Sequence, residues 1–166
     1  MNKSPYIDLS IIDNDINSFK QYYDDTLKSN VKLINTVIRY ISKSKGKQLR
    51  PILTLLGANI CGKPNSNTYR SAALVEILHV ATLIHDDIID ESQLRRGLPS
   101  INRIWKNKIS LLIGDYLFSK VLSNMIAINN FDALKSLSIT AERLSQGELL
   151  QIEKAIKKDM TEEIYF

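Results

Sequence analysis

Apolar residues recur along this chain at alternating intervals of three and four, the spacing that lines one face of an α-helix. Ile11, Ile12, Ile16, Phe19 and Tyr23 make one stripe and Val31, Ile34, Val37, Ile38 and Ile41 a second, with the polar Lys28-Ser29-Asn30 between them. The pattern predicts two amphipathic helices. Gly46 breaks it, and Pro51 stands where a first-turn proline is tolerated, so a third helix is expected from about Arg50 to Cys61, ended by Gly62-Lys63-Pro64. A fourth, from about Asn67 to Asp90, is apolar almost all round, as the central helix of a bundle would be. A loop with Gly97 and Pro99 follows, then a short segment around Trp105 and helices near Ser110–Ile128 and Asp132–Ile156. Thr161 with Glu162 and Glu163 reads as one more helix start. With no Asn-Gly or Asp-Gly hairpin signal, the expectation is an all-α bundle.

Composition narrows the class. At 166 residues the chain is long enough for one domain with a real core, and 44% hydrophobic with 24% charged residues excludes disorder. The single cysteine, Cys61, excludes an intrachain disulfide and a cysteine-based zinc site, which makes a reducing, cytoplasmic setting the default expectation. The net charge of +4 suits an anionic small molecule, and with no long basic run nucleic acid is not the expected partner. Met1 to Asp8 lacks the tracts of a signal peptide, and no uninterrupted apolar run approaches the ~18 residues of a bilayer span, so no transmembrane segment is expected.

The fourth helix carries a polar stripe. Taking about 100° per residue from Glu76, His79 falls at about 300°, Asp86 at about 280°, Asp87 at about 20° and Asp90 at about 320°. A buried carboxylate without a partner is prohibitively costly, so these acids must meet water, cations or a metal. One reading makes the stripe the lining of a wet cavity; the other lets the helix emerge into solvent at Asp86. Asp86 and Asp90, one turn apart, present the hard oxygens that magnesium takes alongside water and phosphate. His79 alone fits a satisfied core histidine as well as a ligand contact. Lys47 and Arg50 flank a helix start, where free N–H groups favour an anion, and Arg95 and Arg96 follow the acids directly. Either basic pair alone could be a solvated face; together they suit a site for two diphosphates.

In order, the chain holds Gly46-Lys47-Gln48-Leu49-Arg50-Pro51, Glu76 with His79 leading to the DDxxD run Asp86-Asp87-Ile88-Ile89-Asp90, then Arg95-Arg96-Gly97, Gly114-Asp115 and Gln146-Gly147-Glu148 with Gln151. This ordered set resembles the N-terminal part of the trans-isoprenyl diphosphate synthases, or polyprenyl synthetases. The resemblance implies a helical bundle of the isoprenoid synthase type, with residues 1–166 forming the first portion of one larger domain. It implies Mg2+ on Asp86 and Asp90 with Asp87 close by, an allylic diphosphate on Arg95, and isopentenyl diphosphate on Lys47, Arg50, His79 and Arg96. Ionisation of the allylic diphosphate, attack by the isopentenyl double bond and loss of a proton would extend the chain; no nucleophilic side chain is required.

Two departures matter. Gln48 stands where the family often has arginine. The family's lysine-threonine element and second aspartate-rich motif do not occur within these residues, so the expectation is a bundle truncated before its C-terminal helices and inactive, or nearly so, alone. By the same resemblance, Ala81 and Thr82, five and four residues before Asp86, limit the growing tail. Both are small, which points to geranylgeranyl or longer products for a quinone side chain. A homodimer, or a heteromer with another synthase subunit, is implied. The alternative is a non-catalytic synthase-like subunit that pairs with a full-length catalytic partner. A di-iron site lacks the second Glu-x-x-His pair it needs, a His-Asp phosphohydrolase lacks histidines, and a class I terpene cyclase would not need Lys47, Arg50 and His79.

Overall fold

The computed structural model describes residues 10–43, 46–159 and 161–162. After a 3-10 turn at Ser10–Ile12, the helices are α1 (Asp13–Leu27), α2 (Lys32–Lys43), α3 (Leu49–Cys61), α4 (Ser66–Ile89), α5 (Ile101–Ile128) and α6 (Phe131–Lys157). Between α4 and α5, β1 (Leu94–Arg95) pairs antiparallel with β2 (Leu98–Pro99). The chain forms two compact units, Met1–Ile128 and Asn129–Phe166.

In the first unit α4 packs on α1, α3 and α5. Its start is set by a capping box in which the Asn65 side chain accepts from Asn67 N and Thr68 N while Thr68 Oγ1 accepts from Asn65 N. Ala72, Ala73, Leu74, Ile77, Leu78, Ala81 and Ile84 are all buried, as its all-round apolar composition predicts. From α5 come Ile113, Leu117, Val121 and Met125, four positions apart and on one face. From α1 come Ile16, Phe19, Tyr23 and Leu27, the Phe19 and Tyr23 rings 5.8 Å apart. Of the expected stripes, Ile34, Ile38 and Ile41 are half-buried, while Ile11, in the 3-10 turn, and Val31, just before α2, are exposed.

The segment around Trp105 and the helix near Ser110 run on as a single element, α5, broken at Lys106, whose φ of 70° and ψ of 160° leave helical space. By length and composition alone α5 reaches the threshold for crossing a membrane. It does so without an uninterrupted apolar run, because Gly114, Asp115, Ser119 and Lys120 interrupt the pattern. At the same time its Ile113, Leu117, Val121 and Met125 are buried and the helix packs on α4.

The second unit is built on α6. The Asn130 side chain accepts from Ala133 N at its start, and Lys158, at a φ of 55°, ends it. Lys154 and Lys157 in the last turn complement the helix dipole and pair with Asp159 and Glu153. Of the expected helix start at Thr161, Glu162 is helical and Glu163 onward lies outside the described residues.

Candidate functional site

Glu76, His79, Val80, Leu83, Ile84 and Asp87 recur on α4 at intervals of three, one, three, one and three, and they line one wall of a cavity of about 70 Å³. Tyr40 and Ile41 of α2, Gly46 and Gln48 of the following loop, and Arg95, Arg96 and Leu98 of the hairpin close the other side. The polar stripe predicted on α4 is therefore divided. Glu76, His79 and Asp87 share the cavity face, whereas Asp86, half-buried, and Asp90, exposed, stand beside it. Both readings of the stripe hold in part, because Asp90 caps the helix end in solvent, its N–H donating to Asp86 O at 2.8 Å.

Asp87 is buried, and Arg95 binds it: Nε donates to Oδ1 at 2.9 Å and Nη2 to the same oxygen at 2.5 Å. This hydrogen bond, first among the causes, raises the Arg95 pKa. Asn102 of α5 donates through Nδ2 to the Asp87 carbonyl at 3.0 Å. The hairpin and the start of α5 thus converge on one aspartate of α4. Asp87 meets the burial problem through the Arg95 cation, and Asp86 and Asp90 are the carboxylates one turn apart on α4. Among the described residues no group of three His, Cys, Asp or Glu side chains forms a closed cage. That donor set fits magnesium, which uses one or two carboxylates and fills its other positions with water and phosphate oxygens.

The arginines sit on a hairpin that the sequence pattern did not reveal. Leu94 pairs with Pro99 and Arg95 with Leu98, and the two residues between, Arg96 and Gly97, have φ of 53° and 79°. Positive φ at both positions is what a two-residue turn needs to match the strand twist, and glycine supplies the second without strain. The Arg96 guanidinium rests on Gly46, where a Cβ would lie 2.6 Å from the guanidinium carbon.

Burial first, and then the charges of Arg50, Arg96 and Arg95, push the His79 pKa down, so its ring is neutral at pH 7 in the field of three cations. Arg50 stands in the first turn of α3, after Gln48 in left-handed conformation. His79, Arg95 and Arg96 are thus brought to one cavity, with Arg50 acting on it electrostatically. Lys47 is exposed and is not in the lining. Ala81 is buried in the core, and Thr82, half-buried, donates to His79 O at 2.9 Å. Sequence reasoning missed the parts that hold the site. Tyr40 and Asn102 belong to no motif, and Gly46 and Gly114 were read as motif letters without their packing partners. Gly114 makes room for the His85 ring, whose Nε2 lies 3.5 Å from Asp115 Oδ1.

Comparison with known proteins gives this geometry a family. Residues 31–166 match the polyprenyl synthetase family. The chain is 36% identical over 158 residues to an all-trans-nonaprenyl-diphosphate synthase (geranyl-diphosphate specific) of Rhodobacter capsulatus, covering 95% of this chain and 49% of that one. It is 33% identical over 144 residues to heptaprenyl diphosphate synthase component 2 of Bacillus subtilis, covering 86% and 41%. Among solved structures it resembles a polyprenyl synthase from Caulobacter crescentus CB15, complexed with calcium and isoprenyl diphosphate, at a TM-score of 0.87 and 32% identity, covering 93% and 47%. The chain spans about half the length of the curated relatives it matches. An all-α bundle of the isoprenoid synthase type, matched in sequence over residues 31–166, makes this chain a member of the polyprenyl synthetase family.

Proposed function

We propose that this chain carries the diphosphate-binding part of a trans-prenyltransferase site, one that condenses isopentenyl diphosphate with an allylic diphosphate to give a trans-polyprenyl diphosphate. The observation that carries the reading is that Arg95 and Arg96 line one cavity with His79, two turns before Asp86 on the same helix, while the Arg50 charge acts on the same imidazole. Cations gathered around an imidazole suit an anion with many oxygens, and the adjacent carboxylates suit a metal that shares such an anion.

In this reading Arg96, Arg50, Lys47 and His79 hold isopentenyl diphosphate. Arg95, fixed on Asp87, offers its remaining N–H groups to the allylic diphosphate. Magnesium on Asp86 and Asp90 would supply positive charge for the departing diphosphate. As the allylic C–O bond breaks, the preset guanidinium groups stabilise the charge that develops, without reorganising at that moment. The double bond of isopentenyl diphosphate attacks the allylic carbon, and loss of a proton restores an alkene. Ala81 and Thr82, which the family resemblance marks as limiting the tail, are both small, so the product is geranylgeranyl diphosphate or longer, made in the cytoplasm for a quinone side chain.

A second reading, a synthase-like subunit that pairs with a full-length catalytic partner, is favoured by one observation: a relative bears the name of one component of a heptaprenyl diphosphate synthase, and this chain spans 41% of it. The two readings separate in one experiment. The purified chain is given radiolabelled isopentenyl diphosphate, an allylic diphosphate and magnesium, alone and co-expressed with a full-length synthase. The first reading expects both substrates to bind the isolated chain; a chain that binds neither and changes only the partner's stability or yield supports the second.

A further inference from the structure

The hairpin that presents Arg95 and Arg96 has two residue pairs, far too few to hold its own shape in water. Its position must come from its attachments. At its base, Ser100 Oγ donates to Ser92 O at 2.6 Å and Ser100 N to Gln93 O at 3.0 Å. On β1, Arg95 is tied to Asp87. None of these anchors β2 to the helices, and its Pro99 has no N–H to offer, so the Pro99 carbonyl is the available handle.

That handle is taken by α2. Tyr40 Oη donates to Pro99 O at 2.6 Å, and the Tyr40 ring stands edge-on to Trp105 of α5, with centroids 5.3 Å apart and planes at 74°. Both contacts span the chain far from the local sequence, 59 residues in the case of Pro99. Tyr40 therefore wedges between β2 and the start of α5 while lining the same cavity as His79 and Arg96. A few residues beyond it, Gly46 receives the Arg96 guanidinium. Tyr40 and Gly46 thus touch the hairpin at two places, its second strand and its tip.

We propose that Tyr40 is a positioning residue for the diphosphate site: its hydroxyl on Pro99 and its ring on Trp105 set the hairpin at the distance that lays Arg96 over Gly46 and toward His79. What Arg96 then binds rests on the prenyltransferase reading. Tyr40 itself touches no substrate in this account, and acts through the hairpin.

The test uses the whole chain and Tyr40→Phe, which keeps the ring on Trp105 and removes only the hydroxyl. Calorimetric titration with isopentenyl diphosphate, and with inorganic pyrophosphate as a probe without a prenyl group, is expected to show about fivefold weaker binding of both, the size of one net hydrogen bond. In an Arg96→Ala background the same change is expected to have no further effect, because the two residues act in series. Hydrogen exchange should quicken at the backbone amides of residues 94–98 and stay unchanged in α4. Tyr40→Leu removes the ring as well. Since Trp105 is the one tryptophan in the sequence, its emission reports that loss directly. Unchanged affinity in Tyr40→Phe, or a loss that persists in full without Arg96, would overturn the proposal and leave Tyr40 a packing residue. If the wild-type chain binds neither probe, the prenyltransferase reading fails, and the positioning claim is then decided by exchange alone: faster exchange in the hairpin supports it, unchanged exchange refutes it.

Discussion

Arg95 donates twice to one carboxylate oxygen of Asp87, through Nε and Nη2, across the short loop that follows α4. The pair separates three aspartates that look equivalent in the sequence. Asp87 is buried and committed to a cation, Asp86 is half-buried, and Asp90 is exposed at the helix end.

Removing Asp87 therefore differs in kind from removing Asp86. Asp87→Ala strands a guanidinium and is expected to cost about 2 kcal/mol of stability. That is below the ~3–5 kcal/mol of a fully buried pair, because about a third of the Arg95 side chain keeps water. Asp86→Ala, at a half-buried carboxylate, is expected to cost clearly less than Asp87→Ala. Urea unfolding of the two variants compares them directly; equal losses would contradict the assignment.

Gly46→Ala puts a Cβ where the Arg96 guanidinium lies. The far end of an arginine moves cheaply, so the fold should survive with an unchanged unfolding midpoint. The displaced cation should weaken binding of isopentenyl diphosphate by roughly five- to tenfold, comparable to the loss of a charge-assisted hydrogen bond. Titration calorimetry on the variant checks this.

At Gly114 the obstacle is a ring rather than a flexible tip, since a Cβ would meet His85 Cδ2 at 2.6 Å. Gly114→Ala is expected to destabilise by about 1–3 kcal/mol through overpacking between α4 and α5. Adding His85→Ala should recover most of that loss. Failure of the second substitution to compensate would show that the clash lies elsewhere.

His79 makes stability depend on pH. Burial and the nearby arginines hold its pKa below the usual 6.5 in the folded chain. The unfolded chain takes up a proton near pH 6.5 that the folded chain refuses. Stability is therefore present in full above that pH, falls as pH drops toward the folded-state value, and levels off below it. Unfolding curves at several pH values, wild type against His79→Gln, isolate this contribution; a dip of the same depth in both would remove His79 as its source.

The helices were legible because burial at a period of 3.6 residues writes itself into the chain, and α4 was legible as the centre because nearly every side of it is apolar. Even the break before Ser110 showed, as a short segment around Trp105 that the structure ends at Lys106. The hairpin was not legible: four paired residues are too few for alternation to register, and Arg96-Gly97 replaces the Asn-Gly or Asp-Gly that marks such a turn. The site residues His79, Arg95 and Arg96 could be found by charge and spacing along one helix and the loop after it. Which aspartate turned inward was a matter of one 100° step, settled by where Arg95 and Asn102 approach. Tyr40 on Pro99 and Arg96 on Gly46 join segments far apart in sequence, and no local pattern records them.

The central claim is that Asp86 and Asp90 present magnesium to an allylic diphosphate beside a metal-independent site for isopentenyl diphosphate. Calorimetric titration of the chain with geranyl diphosphate, in magnesium and then in a chelator, tests it most directly. The account predicts that magnesium strengthens binding at least about tenfold, or ~1.4 kcal/mol, that Asp86→Asn and Asp90→Asn each abolish this gain, and that isopentenyl diphosphate binds equally with or without the metal. Geranyl diphosphate affinity that is the same in magnesium and chelator, or a magnesium gain that survives both substitutions, would contradict it.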